Sequence, residues 1–465
     1  MEELDVYTGT LEYRNIVFTF VFDKKILRLI PPNEERENVS SWFKEKLADG
    51  VYGCFKQVYI DENLIGNCNK RNKQIVFILE NNEVGLSNCV LIIKIKYYII
   101  SNYANKMIDK IVIYGPEINY IYSKKLNYLK LNEDNTLGVD RYLFNDTVSD
   151  KECFKIDDKT IHIYFGISVL SNYKIEENPL KINSTLSLEF EPTDDYKFLV
   201  KLLNLMREFI QYLCFRRNIY FASVELAGFV SENIHFNFAE LYENSEYTII
   251  DNAKTLKKGR IIKYEYVKGA IGQIIEDIYK NKIYLKHIPD SHESGIKIDV
   301  GKFVMITADF EWEFKRNYPN GIVKNKKTIA AENHITDLID TLIRQNTGKS
   351  KEILKFLKKQ IASYNLSSQI VQYGKDYGDI SNAFGNKLYS LCNEKLCYEK
   401  IGDRLSKQRN YFAHGDIDCE FTGLSLFDVL YLEYIIYIMQ LKYYGVNTDK
   451  IKLAINDLFE CHLSL

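Results

Sequence analysis

A chain of 465 residues is too long for one ordinary hydrophobic core, and at roughly 100 to 200 residues per domain it implies two or three of them. With 46% hydrophobic and 27% charged residues it falls in the globular class and outside the disordered one. A net charge of −2 excludes a global basic field, so a polyanion partner would have to be held by local patches.

The start, MEELDVYTGT, is acidic and has no basic region followed by an apolar stretch, so no signal peptide is expected. From there to about residue 190 the chain offers short β-branched and aromatic runs: NIVFTFVF, KILRLI, QIVFILE, CVLIIKIKYYII, KIVIYG, IHIYFGISV and TLSLEFE. Asn, Asp, Gly and Pro separate them, which predicts a series of strands. Helix-start chemistry follows at Pro192 to Asp195, and Leu199, Leu202, Met206, Phe209 and Leu213 keep helical spacing behind it. NIYFASVEL, IHFNFAEL and RIIKYEYV return to strand character, and GAIGQIIEDIYKNK reads as a short helix. This β-rich region with inserted helices is placed at residues 1–295, with a break near 190–230 that would divide it into two subdomains.

All seven prolines lie at or before Pro319, which removes the strongest helix breaker from the rest of the chain. Helical patterns follow one another there: KFVMITADFEWEFKRN, TIAAENHITDLIDTLIRQN, SKEILKFLKKQIASYN, DISNAFGNKLYSLCNEK, YEKIGDRLSKQRNYFA, SLFDVLYLEYIIYIMQLKYY and TDKIKLAINDLFECHL. Residues 296–465 are therefore expected to form an all-α bundle, and the whole chain an α+β fold. The most apolar runs, VLIIKIKYYII and VLYLEYIIYIM, are interrupted by Lys94, Lys96 and Glu433 and are too short to span a bilayer. Nine scattered cysteines, Cys392 and Cys397 among them, lack zinc or disulfide spacings and are expected to be reduced, mostly buried thiols. Together these features predict a soluble, cytoplasmic protein.

The chemistry concentrates in KQRNYFAHGD, residues 407–416. On its helix Tyr398, Ile401, Leu405 and Phe412 form an apolar stripe, and four residues past Leu405 comes Arg409, an arginine at a position where the stripe predicts burial. Its permanent charge requires an internal carboxylate, a groove or an anionic ligand. His414 lies five residues on, about 140° around an ideal helix, so the two side chains meet only if the helix ends or distorts after Phe412. Gly415 is suited to allow that. Asn410 and His414, four apart, can meet if the last turn persists. The spacing alone equally admits a helix end, with Arg409 in an ion pair and His414 near the cap.

Arg409, Asn410 and His414, set within a helical bundle, resemble the signature of the HEPN ribonuclease family: an Arg, an adjacent polar residue, and a His after four to six intervening residues. A β-rich half ahead of such a bundle is similar to the ApeA-like HEPN proteins of bacterial anti-phage, abortive-infection defence. The resemblance covers the chain in outline and is specific only over the motif and its flanking helices. It implies an endoribonuclease needing no metal or cofactor, cutting RNA, transfer RNA among the candidates, but not DNA. The RNA 2′-hydroxyl would be the nucleophile, His414 the proton carrier and Arg409 the phosphate ligand, with 2′,3′-cyclic phosphate products. It further implies a homodimer through the HEPN domain and an N-terminal region that senses a phage-encoded trigger or restrains the nuclease. The alternative is a non-catalytic HEPN module that binds RNA or a protein partner.

Glu311, Lys315 and Arg316, in EWEFKR, resemble the Glu-x-x-x-Lys-Arg signature of some HEPN branches. Either Glu311 and Lys315 form a surface pair, or Glu311 orients Arg409 and the two cations hold phosphates. Lys351, Lys355, Lys358 and Lys359 stand opposite Ile353, Leu357 and Ile361 and form either a track for a phosphate backbone or a solvated face. Arg404 and Lys407 add positive charge near Arg409, or are simply solvent-exposed. His287 and His292, beside Asp290 and Glu293, are too few for a metal site, and none is expected. No Gly-Lys-Ser phosphate loop, dinucleotide fingerprint or Gly-x-Ser-x-Gly elbow is present, which argues against an NTPase or an α/β-hydrolase.

Overall fold

Strict alternation of apolar and polar side chains shapes the start of the chain: Tyr7–Tyr13 (β1) and Ile16–Phe22 (β2) bury every second residue. Arg14 and Asn15, at φ 50° and 61°, form the two-residue turn whose twist suits a hairpin, and the register runs from Tyr7 opposite Phe22 to Tyr13 opposite Ile16. A computed structural model describes residues 6–46, 52–69, 73–104, 106–123, 129–131, 134, 137–139, 148–171, 180–244, 260–322, 326–361, 365–413, 420–421 and 423–464. The chain divides into two units. The first comprises Met1–Lys257, Lys263–Glu265 and Ile271–Lys280; the second Lys258–Ile262, Tyr266–Ala270 and Asn281–Leu465.

In the first unit the described residues form a 15-stranded antiparallel sheet. Its order is Glu152–Ile156, Lys159–Ser171, Leu180–Thr193, Ile108–Tyr114, Ser223–Ser231, Ile234–Glu243, Tyr97–Ser101, Gln74–Ile78, Leu64–Cys68, β1, β2, Ile26–Ile30 (β3), Val90–Lys94, Asn82–Ser87 and Val58–Ile60. One core takes Phe18, Phe20 and Phe22 of β2, Val58 and Ile60 from the last strand, and Phe77, Tyr98 and Ile100 from strands further along, so this part of the sheet curls around its own interior. The run CVLIIKIKYYII divides into two strands that join different neighbours: Val90–Lys94 pairs with β3, and Tyr97–Ser101 with Gln74–Ile78 and Ile234–Glu243. The expected helix spans Tyr196–Cys214 (α1), where the Asp195 carboxylate accepts from the Phe198 N–H at 3.1 Å and caps its start.

RIIKYEYV is not a strand: Tyr264–Val267 forms one helical turn. Its buried residues Tyr264 and Val267 are three apart and lead into the helix Ile271–Tyr279 at the same period, a spacing that a short apolar run does not separate from strand alternation. The cysteines also depart from expectation. Of the seven whose side chains are described, all are free thiols, but only Cys68 and Cys214 are buried, and Cys153 is exposed.

The second unit is helical: Val300–Asn317 (α2), Lys326–Gln345 (α3), Gly348–Ile361 (α4), Leu366–Ser390 (α5), Tyr398–Ala413 (α6), Ser425–Tyr443 (α7) and Thr448–Leu458 (α8). Helix α7 is buried on all sides, with Val429, Leu432, Ile435, Ile436, Tyr437, Ile438 and Met439 fully enclosed, which makes it the central helix of the bundle. Among the described residues no helix is long and apolar enough to cross a membrane.

Along α2, residues Lys302, Asp309, Glu313 and Arg316 recur at helical spacing and line a buried polar seam against α7. Lys302 pairs with Glu433 at 3.3 Å, Asp309 with His287 at 3.0 Å, and Glu313 with Arg316 at 3.3 Å, while Gln440 donates to Glu313 at 3.2 Å. Burial, and then the neighbouring Asp309, push the Glu313 carboxyl up to about 7 against the pull of Arg316. A carboxyl whose folded value lies above its unfolded one stabilises the fold at low pH, and that contribution is lost as pH rises through about 7. Chain stability is therefore expected to fall by on the order of 2 kcal/mol between pH 5 and pH 7.5 through this group. Urea unfolding at the two values should show a shallower pH slope in Glu313→Gln; an unchanged slope would assign the effect elsewhere.

Candidate active site

The motif helix α6 sits in the bundle through close backbone approaches. A Cβ on Gly402 would stand 2.7 Å from Ser367, and one on Gly374 of α5 would stand 2.4 Å from the Tyr398 ring, so glycine is what lets α5 and α6 touch. The Tyr398 hydroxyl ties the seam by donating to Asn382 at 2.8 Å and by lying 2.9 Å and 3.0 Å from the hydroxyls of Ser381 and Tyr431. At the far end of α6 the rings of Phe303, Phe412 and Phe421 pack edge-on or tilted, with centroids 5.2 to 5.8 Å apart, and hold α2 against the motif.

The buried stripe of α6 runs Ile401, Leu405, Gln408, Phe412. The core-facing position is thus Gln408, three residues past Leu405, and not Arg409, because a stripe at 3.6 residues per turn advances by three as readily as by four. Gln408 is fully buried, and its carbonyl accepts from Ser425 at 3.3 Å. Arg409 stands on the flank of the stripe with 41% of its side chain exposed. Its two terminal nitrogens donate in parallel to the two oxygens of Glu311 at 2.7 and 2.9 Å. That geometry fixes the guanidinium plane and leaves further N–H donors for a ligand. Asn410 and Lys407 are exposed. The expected bend after Phe412, with His414 and Gly415, falls outside the described residues; α6 itself is helical through Ala413.

The remaining candidates part ways. Lys315 is exposed, and Glu311, its expected helical partner, is turned to Arg409. Arg316 lies over the rings of Tyr443 and Tyr444 at 3.8 and 4.9 Å, donates to the Tyr444 hydroxyl at 2.6 Å, and leans on Glu313. It belongs to the α2–α7 seam rather than beside Arg409. Arg404 is neither a solvated residue nor an open cation: it makes two parallel bonds of 2.7 Å to Asp428 of α7, which is fully buried and also accepts from the Tyr389 hydroxyl at 2.5 Å. Burial raises the Asp428 carboxyl, opposed by Arg404 and Tyr389. Lys355 and Lys359 are exposed on α4, while Lys358 is paired with Asp340 of α3 at 2.7 Å. His287 faces Asp309, and His292 lies 2.6 Å from Arg260, so the two histidines serve different partners. Among the described residues no group of three or more His, Cys, Asp or Glu could hold a metal ion.

Sequence reasoning missed Gln408, Asp428 and Tyr389. The available signal for Asp428 is a carboxylate inside SLFDVLYLEYIIYIM, an otherwise apolar run, where a charge demands a partner. No family model matches the chain. No curated protein and no solved structure matches it either.

Proposed function

We propose that the chain is an endoribonuclease of the HEPN type, with Arg409, Asn410 and His414 as its catalytic motif and Glu311 holding Arg409. The observation that carries this reading is the two-pronged Glu311–Arg409 pair, which joins the two separate sequence signatures and presents a half-exposed, oriented guanidinium at the end of the motif helix. RNA brings its own nucleophile, so the protein need supply only proton transfer and charge stabilisation. The 2′-oxygen attacks phosphorus as its proton leaves, the bond to the 5′-oxygen breaks, and that oxygen takes up a proton; the products are a 2′,3′-cyclic phosphate and a 5′-hydroxyl. Arg409 meets the charge that builds on the phosphate oxygens, and an imidazole near pH 7 can give or take the proton. One histidine serves one side of phosphorus, so the complete site is composite, built from the motifs of two chains. The N-terminal region then acts as sensor or restraint, and the biological setting is anti-phage defence in the cytoplasm.

Incubating the purified chain with RNA in the presence of a chelator tests this. The expected outcome is cleavage with cyclic-phosphate ends and no cleavage of the corresponding DNA. RNA that is retained but stays intact would assign the chain to a non-catalytic binding module, and RNA neither bound nor cut would count against both.

A further inference from the structure

Helices α3 and α4 form an antiparallel hairpin turned at Gly348, which has φ 60°. Ile339 is buried within it, and Lys358 reaches Asp340. Yet Ile335, Leu338 and Leu342 of α3 and Ile353, Phe356 and Leu357 of α4 are each between 43% and 60% exposed. On α3 the exposed residues follow i, i+3, i+7, and on α4 they follow i, i+3, i+4, so each set is one stripe. Both stripes are turned by about 120°, in the same rotational sense, from the face that packs against the other helix. In an antiparallel pair that places them on the same side of the hairpin. The opposite side carries Asp337, Arg344, Glu352, Lys355 and Lys359.

The hairpin is thus charged on one side and apolar on the other, and the apolar side is uncovered. Exposed apolar area from these six side chains is on the order of 500 Å², at the upper end of what a soluble monomer leaves in water. Among the described residues, Ala331, His334, Gln345 and Ser350 fill in the stripe and Lys327 and Lys349 stand at its two ends, so no described carboxylate faces another when the surface meets itself. Buried on two copies, that apolar area alone comes to about 1,000 Å², the least that a specific interface needs. We propose that this face is a self-association surface, and that its occupant is the same face of a second copy. Two hairpins related by a two-fold axis close into a four-helix bundle that seals both stripes.

The residues that flank the hairpin in sequence bond α5 and α6. Tyr318 before α3 bonds Asp376 of α5 at 2.5 Å, and Ser367, just after α4, bonds Asp403 of α6 at 2.9 Å. Pairing of hairpins therefore tethers two motif helices. The inference rests on the hairpin alone: a chain that dimerises here without cutting RNA still bears it out.

Sedimentation of the full chain across the micromolar range tests it, beside the double variant Leu338→Lys with Phe356→Lys. Both side chains are already exposed, so the variant should keep the wild-type circular dichroism and thermal transition. The expected result is a wild-type dimer and a variant whose association is weaker by about 100-fold or more. A strictly monomeric wild type, or a dimer that persists in the double variant, would overturn the proposal. So would a wild-type monomer that floats with anionic liposomes and loses this in the variant, which would give the face to a lipid surface.

Discussion

Arg409→Ala is expected to lower RNA cleavage by about 10² to 10³-fold, the range lost when one preorganised donor to a developing oxyanion is removed. Arg409→Lys should recover only part of that, because an ammonium cannot make the paired bonds to Glu311 and still face a phosphate with a fixed plane. Glu311→Gln keeps size and shape but weakens the hold on the guanidinium, so its loss should be smaller, on the order of 10-fold, and should appear in kcat more than in KM. His414→Ala should match Arg409→Ala in size. The stability cost of Arg409→Ala is small, since the pair is partly exposed and screened. Single-turnover rates on one RNA substrate, with melting curves beside them, decide the matter: Arg409→Ala cutting at the wild-type rate would remove the residue from the site.

The second large effect concerns stability. Arg404→Ala is expected to cost about 3 kcal/mol in urea unfolding at pH 7.5, because it strips the buried Asp428 carboxylate of its cation and leaves only the Tyr389 hydroxyl. The loss should shrink at pH 5. Asp428 already has a raised pKa; without Arg404 it rises further, and a carboxyl that folds protonated loses less stability in acid. Replacing both ends, Arg404→Met with Asp428→Leu, should recover most of the deficit. Variants that remain folded should bind RNA as wild type does, because Arg404 is spent on holding α6 to α7. Reduced RNA affinity at unchanged stability would instead make Arg404 a phosphate ligand.

Local chemistry made much of this architecture legible. The motif helix was readable from its start at Tyr398, and α1 behind its Asp195 cap, because periodicity and caps are written within a few residues. By contrast α5 begins at Leu366, well before the DISNAFG pattern that announces it. Its glycines at 374, 378 and 385 depress helix propensity, and their use, clear against the Tyr398 ring, lies in packing. Gln408 hid within the stripe because a polar side chain breaks the hydrophobic pattern that locates core positions. The Glu311–Arg409 pair spans 98 residues, and no local rule specifies such a partner. A resemblance suggested it, and geometry placed it. The order of the 15 strands was illegible for the same reason: antiparallel pairing between distant segments depends on faces that form only on assembly.

One of those distant pairings bears on how the chain is made. Strand Tyr97–Ser101 is buried at every position, and one of its two edges is completed by Ile234–Glu243, with Tyr97 opposite Glu243, 146 residues away. At roughly 5 to 20 residues per second, translation leaves that edge bare for about 7 to 30 seconds. During this interval an apolar strand with unpaired amides is exposed to other nascent chains on the same message, so yield on expression should depend on chaperone supply and growth temperature more than the finished fold would suggest.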